Sequence, residues 1–227
     1  MPLNKKRVLS LIMISMFIYT GCEDDHDHDD DEKVVKITEP ATYTFNSRFA
    51  DGVSSVSYSG QVVRNLLIND IKTQMGTDAG TKNPATLVSM MANDNADRAI
   101  LSASGMTTVQ TKYHDISTSH LNDRLTAVDS YIIPGYNANA TALVNGWVQE
   151  CVANGKTRLT GDNAGIRLDQ ITQKTLWGAV SYWQATSKYM SKIPTDDNSM
   201  ASGDANYTAM EHHWDESFGY FGAALDY

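Results

Sequence analysis

Two histidines and three carboxylates lie close together near the end of the sequence, in the run EHHWDESFGYFG at residues 211–222. His213 and Glu216 are three positions apart, so a helix would place them on one face. An imidazole nitrogen and a carboxylate oxygen one turn apart provide half of a transition-metal site. We therefore predict that this pair binds a metal ion. The candidates for a third ligand are donors elsewhere in the chain: His114, His120 and Asp169.

A structural role for the same pair is the alternative. His213 and Glu216 could hydrogen-bond each other or the backbone and so orient neighbouring helices. His212 is expected at the surface, paired with Glu216 or Asp215. The His-Glu-x-x-His pattern of zinc peptidases is absent, as are a Gly-rich phosphate loop, a Gly-x-Ser-x-Gly elbow and a Cys-x-x-Cys pair. The sequence therefore identifies no catalytic residues.

The helix that carries the pair has a recognisable start. Thr208 and Glu211 have the spacing of a capping box, in which each side chain bonds the other residue's backbone N–H. An apolar stripe then follows at helical spacing beside the polar face: Trp214, Phe218, Phe221 and Leu225. This pattern predicts a helix whose aromatic side packs into the core while His213 and Glu216 look into a partly enclosed hollow.

The elements that must position this helix are themselves helical. From Ser59 a 3.6-residue period runs through Val62, Val63, Leu66, Leu67 and Met75, with Ser59 and Gly60 as the predicted cap. Further helices are predicted over residues 84–91, 96–104, 120–132, 138–152 and 168–190, the last with Gly178, Tyr182 and Tyr189 on its buried face. Five to seven helices and almost no strand predict an all-α fold of the helical-bundle type.

The first 58 residues predict export rather than folding. Residues 1–21 combine a basic start with a short apolar run and end before Cys22 in a lipobox-like sequence, so we predict a signal peptide and acylation of Cys22, palmitate included. Residues 22–33 predict a solvated acidic tether whose His26 and His28 could bind metal weakly. Residues 34–58 predict an extended segment, and residues 59–227 a helical domain.

Composition limits the partners of the chain. The 227 residues carry a formal net charge of −9, which excludes the basic surface that nucleic-acid binding requires. If Cys22 is acylated, Cys151 has no partner for a disulfide within the chain, and its apolar surroundings in sequence predict a small buried side chain.

Three segments carry a resemblance to a known family: SYSGQVVRNLLINDI, DQITQKTLWGAVSYWQAT and HHWDESFGYFG. Together they resemble a group of bacterial lipoproteins of unknown function that looks related to imelysin-like proteins, over about residues 43–227. The resemblance implies an all-helical bundle longer than this chain, which would then be an incomplete fragment. His213 and Glu216 fit the His-x-x-Glu part of the imelysin-like motif Gly-x-His-x-x-Glu, and Glu211 stands where its glycine would be.

The resemblance also implies a role in metal or iron handling at the envelope. Our first hypothesis is accordingly a lipid-anchored outer-membrane protein, periplasmic or surface-exposed, that binds a metal ion or metal-containing ligand, with iron and zinc as candidates. The alternatives are a non-catalytic module that docks another envelope protein and an imelysin-like metallopeptidase. Membrane contact is expected only through the lipid anchor.

Overall fold

The computed structural model describes residues 45–101, 110–154, 157, 160 and 164–222. Contacts divide the chain into two units, residues 1–42 and 43–227, and every described residue falls in the second unit. The predicted signal peptide, the acylation site at Cys22, the tether with His26 and His28, and residues 34–44 therefore lie outside the described residues. None of the helices in the described ranges combines the length and apolar character needed to cross a bilayer.

The all-α prediction is confirmed. Seven α-helices are found in the described residues: α1 (Ser59–Asp78), α2 (Ala85–Ala92), α3 (Tyr113–Ile116), α4 (Asn122–Thr126), α5 (Ala140–Asn154), α6 (Leu168–Leu176) and α7 (Ala209–Gly222). Two π-helical stretches, Trp177–Tyr182 and Gln184–Met190, continue α6 and are called the π segment here. A 3₁₀ turn follows at Ile193–Thr195. Among the described residues before α1, Asn46 and Ser54 form an isolated antiparallel bridge.

Helix α1 is the centre of the packing. Its predicted core side chains are completely buried: Val62, Val63, Leu66, Leu67 and Met75. It contacts α2, α3, α5, α6, the π segment and α7, so burial of this one helix joins most of the domain. The predicted cap at Ser59 and Gly60 is wrong, because no side chain caps the helix. The backbone oxygen of Tyr58 accepts from the N–H groups of Gln61 and Val62 instead.

The predicted helix over residues 168–190 exists, and its predicted buried face is right at Tyr189 but wrong at Gly178 and Tyr182. Tyr182 is 70% exposed, whereas the buried positions lie four or five residues apart: Thr172, Leu176, Val180, Gln184 and Tyr189. A π-helix closes its hydrogen bonds over five residues rather than four, so each turn contains more residues and the inward face recurs at longer intervals. A search of the sequence for apolar residues with a 3.6-residue period therefore misplaces part of the buried face of this helix.

Two further helix predictions are wrong in part. In the predicted stretch 96–104, the described residues 96–101 form no helix. Ala99 instead bridges Lys112, and Ile100 N–H donates to the Thr111 oxygen at 2.9 Å. The predicted helix over residues 120–132 shrinks to α4, followed by turns. These apolar residues pack through turns rather than through a continuous helix, which local periodicity does not distinguish.

Cys151 is fully buried on α5, as predicted. Its thiol contacts the Met75 oxygen of α1 at 3.4 Å, and burial raises the pKa of the Cys151 thiol to about 11. Complete burial and a raised thiol pKa fit a packing role for Cys151.

Candidate functional site

Helix α7 begins as the capping box predicts. The backbone N–H of Thr208 donates to Glu211 Oε2 at 2.9 Å, and the backbone N–H of Glu211 donates to Thr208 Oγ1 at 3.1 Å. Thr208 is completely buried, which fixes the start of the helix against the preceding loop. The positions of the following side chains therefore depend on this cap.

His213 is held by two side chains from the turn after the π segment. Lys192 Nζ lies 3.2 Å from His213 Nε2, and Asp196 Oδ2 lies 2.6 Å from His213 Nδ1. Since an ammonium group only donates, Nε2 accepts and Nδ1–H donates to Asp196. The His213 ring also stacks on Tyr189 at 5.8 Å. The lone pair that would bind a metal ion thus accepts a hydrogen bond from Lys192.

Glu216 has different partners from His213. Its Oε1 accepts from Gln61 Nε2 of α1 at 3.2 Å, and its Oε2 lies 3.6 Å from Nε2 of His212. His212 is half-buried rather than on the surface and stacks on Tyr207 at 4.6 Å. Burial lowers the pKa of His212. The pairing of His212 with Glu216 agrees with the sequence-based expectation. His213 and Glu216 hydrogen-bond different side chains: Lys192 and Asp196 contact His213, and Gln61 contacts Glu216.

The candidate third ligands also have other partners. His114 Nε2 contacts the Asn93 oxygen at 2.7 Å, His120 Nδ1 lies 3.5 Å from Asp123, and Asp169 pairs with Arg167 at 2.6 Å. Within the described ranges, no three His, Cys, Asp or Glu side chains are grouped so that they could hold a metal ion. Metal binding by His213 and Glu216 stays a prediction.

The three aromatic members of the predicted stripe of α7 face solvent, which contradicts the prediction that they pack into the core; the fourth member, Leu225, lies outside the described residues. Trp214 is 56% exposed, Phe218 48% and Phe221 86%. The helix instead packs through Tyr220 and two small residues, Ser217 and Gly219. Ser217 is buried and donates to the Ala185 oxygen at 2.9 Å, and Gly219 lies so close to α1 that an added Cβ would be 2.7 Å from Cβ of Tyr58.

Arg64, a large polar residue of α1, also contributes to the contact between α1 and α7. Arg64 is almost fully buried, and its Nη1 donates to the Tyr220 hydroxyl at 3.1 Å. Its Nε donates to the His120 oxygen at 2.7 Å. Sequence reasoning missed Arg64 because an arginine within an apolar period is ordinarily assigned to a helix surface.

An open groove lies between the exposed stripe of α7 and the extended residues before α1, and we call it the α7 groove. Its volume is about 480 Å³. Most of its lining is apolar or aromatic: Phe45, Val56, Tyr58, Ile193, Met210, Trp214 and Phe218. Tyr58 and Phe218 contact edge to face at 6.1 Å, which joins the two walls.

Two carboxylates lie in the α7 groove and differ in environment. Glu211 forms a salt bridge with Arg48 at 3.0 Å. Asp215 Oδ2 accepts from the Ser57 backbone N–H at 2.8 Å, and in the described ranges no cationic side chain lies within ion-pair distance of it. Burial, together with the nearby charges of Glu211 and Glu216, raises the pKa of Asp215 to about 6. Among the described residues, the groove therefore contains an acid that has no cationic partner and lies beside aromatic rings.

A second cavity of about 560 Å³ lies between α2, α4 and α5. Its lining is uncharged, with aliphatic side chains such as Leu87 and Met91 beside amides such as Asn145 and Gln149. It is separate from the predicted site residues.

Comparison with known proteins gives one similarity. A family model described as a domain of unknown function (DUF4856) matches residues 40–226. No curated protein and no solved structure matches the chain.

Proposed function

The protein belongs to this family, DUF4856, and we propose that it is a non-catalytic binding protein whose α7 groove docks an apolar segment of another envelope protein. The observation that supports the proposal is the exposure of Trp214 and Phe218 in a groove with a second aromatic wall. Large exposed apolar surfaces on a protein mark sites of interaction, and rigid aromatic side chains are frequent anchors there.

The shape of the groove favours a peptide chain as its occupant. The lining residues of α7 extend from Met210 to Phe218, which corresponds to about 12 Å along the helix axis. An extended chain covers that length with about four residues. Because the aromatic walls are about half exposed, the groove is open along its side rather than closed around a small molecule.

An envelope location belongs to the same proposal. It rests on the lipobox-like sequence before Cys22 and on the acidic tether of residues 22–33. The relation to imelysin-like proteins rests on the resemblance of three sequence segments, within which His213 and Glu216 fit part of the family motif, and a role in iron handling would follow from it. The relation to imelysin-like proteins and the role in iron handling do not depend on the groove. Titration of the full chain and of His213→Ala with iron or zinc tests the metal-binding prediction, which expects weaker binding in the variant.

A peptide array tests the docking function. The array holds pentapeptides with Leu, Phe, Trp or Met at the second and fourth positions and norleucine at the centre, and the full chain is the analyte. We expect measurable binding that Trp214→Ala or Phe218→Ala weakens at least about tenfold, because each variant removes one aromatic wall.

The matched control is Phe221→Ala, which removes a more exposed aromatic ring of α7 that does not line the groove. This variant should bind as the unaltered chain does. Absence of binding to all peptides, or equal losses in the three variants, would show that the groove is not a docking site.

A further inference from the structure

We propose that the segment which docks in the α7 groove carries a lysine or arginine whose cation pairs with the carboxylate of Asp215. This inference rests on the proposed function and adds the chemical class of the partner: a basic side chain flanked by apolar residues.

The position of Asp215 is the first support. It follows Trp214 directly on α7 and lines the groove together with Trp214 and Phe218. The Ser57 backbone N–H holds its Oδ2 at 2.8 Å, so the carboxylate has a defined orientation before any ligand arrives. A preoriented carboxylate in the wall of a groove is suited to bind a donor group of the occupant.

The charges around Asp215 are the second support. On α7 the charges of Glu211 and Glu216 act on Asp215, and both are acidic. Arg48, in the segment before α1, forms a salt bridge with Glu211. Lys192, in the turn after the π segment, donates a hydrogen bond to His213. In the part of the chain that the structure describes, the half-buried carboxylate therefore has acidic neighbours and no cation within ion-pair distance, and a bound cation would supply the missing charge.

The aromatic walls are the third support. A lysine or arginine has an apolar stem and a cationic end, so one side chain can pack on rings and still present its charge. Trp214, Phe218 and Tyr58 surround the same space as Asp215, and the faces of such rings attract a cation. An anionic side chain would instead be repelled by Asp215, and a neutral one would leave it without a counter-charge.

The peptide array described above tests this inference when its central residue is varied. Lysine, norleucine and glutamate are compared in the same apolar flanks. We expect the full chain to bind lysine-centred peptides about tenfold more tightly than norleucine-centred ones, and glutamate-centred peptides least of all.

The variant Asp215→Asn tests the assignment of the carboxylate. It should bind lysine-centred and norleucine-centred peptides equally, because the amide oxygen still accepts from the Ser57 backbone N–H but carries no charge. The matched control is Asp204→Asn, which removes an exposed loop carboxylate outside the groove and should keep the full preference.

The outcomes separate the two proposals. One outcome is that lysine-centred and norleucine-centred peptides bind the unaltered chain equally and that Trp214→Ala weakens both. This result would overturn the proposal of a basic side chain in the partner but would support the docking function. A lysine preference that survives in Asp215→Asn would also overturn the assignment of Asp215. If no peptide binds, both proposals are wrong.

Discussion

Asp215 is a residue whose environment favours binding over stability. Its carboxylate is half-buried beside two other acids, and this arrangement costs free energy whenever the group is ionised. Residues that lower stability without an evident packing role are characteristic of functional sites. The adjacent acid Glu211 shows the contrast, because it is used for the helix cap and the salt bridge with Arg48.

Substitution of this acid is expected to stabilise the fold in a pH-dependent way. The pKa of Asp215 rises from an ordinary 3.8 to about 6 in the folded protein. The folded state therefore binds the proton more tightly, and stability falls as pH rises from about 4 to about 6. Asp215→Asn should raise the free energy of unfolding by about 1 kcal/mol at pH 7, allowing for solvent screening.

Urea denaturation at pH 7 and at the lower end of this range measures the effect. The difference between Asp215→Asn and the unaltered chain should shrink as pH falls towards about 4, because Asp215 is then protonated in the folded protein and carries no charge there, like asparagine. A variant that is less stable than the unaltered chain at pH 7 would contradict the description of Asp215 as an uncompensated acid.

At the scale of elements, close contact with α1 sets the orientation of α7. Gly219 permits that contact, since an added Cβ would lie 2.7 Å from Cβ of Tyr58 and 2.8 Å from Cβ of Gln61. The same contact directs Ser217 and Tyr220 inward and leaves Trp214 and Phe218 outside. The sequence alone does not reveal this orientation, because hydrophobic periodicity favours an aromatic face over a small one as the buried side.

The glycine can be tested with one added methyl group. Gly219→Ala should lower the free energy of unfolding by about 1–3 kcal/mol, because the Cβ atoms it meets belong to side chains fixed close to their backbone. Thermal unfolding followed by circular dichroism measures the change.

Gly146→Ala on α5 is the matched control. Beyond its chain neighbours and the backbone of its own helix, no described atom lies within 4 Å of its added Cβ, so alanine should leave stability unchanged or raise it by up to about 1 kcal/mol. Equal effects of the two substitutions would contradict the close contact between α7 and α1.

At the scale of the whole molecule, the sequence predicts the scaffold better than the site. The α1 core and the all-α class follow from apolar periodicity, and the start of α7 follows from its capping box. The partners of His213 could not be predicted, because Lys192 and Asp196 approach it through a turn that follows a π segment. The α7 groove could not be predicted either, since its second wall comes from residues more than 150 positions away in the chain.

Scaffold and groove should therefore respond differently to truncation. Leu66→Ala removes a completely buried side chain of α1 and should lower the free energy of unfolding by about 2–5 kcal/mol. Trp214→Ala should change it by no more than about 0.5–1 kcal/mol, because the ring is more than half exposed. Chemical denaturation of both variants measures the two free energies of unfolding. A loss of several kcal/mol in Trp214→Ala would contradict the exposed position of Trp214 and indicate that its ring is part of the core.

The central claim is that the α7 groove binds a partner segment, and fluorine NMR of the full chain tests it most directly. Incorporation of 5-fluorotryptophan gives one signal for each of the four tryptophans, and Trp214→Phe identifies the signal from the groove. With the lysine-centred peptides at saturation, we expect the Trp214 signal to shift and the signals of Trp147, Trp177 and Trp183 to stay in place. An unchanged Trp214 signal, or shifts confined to the other three, would contradict the account.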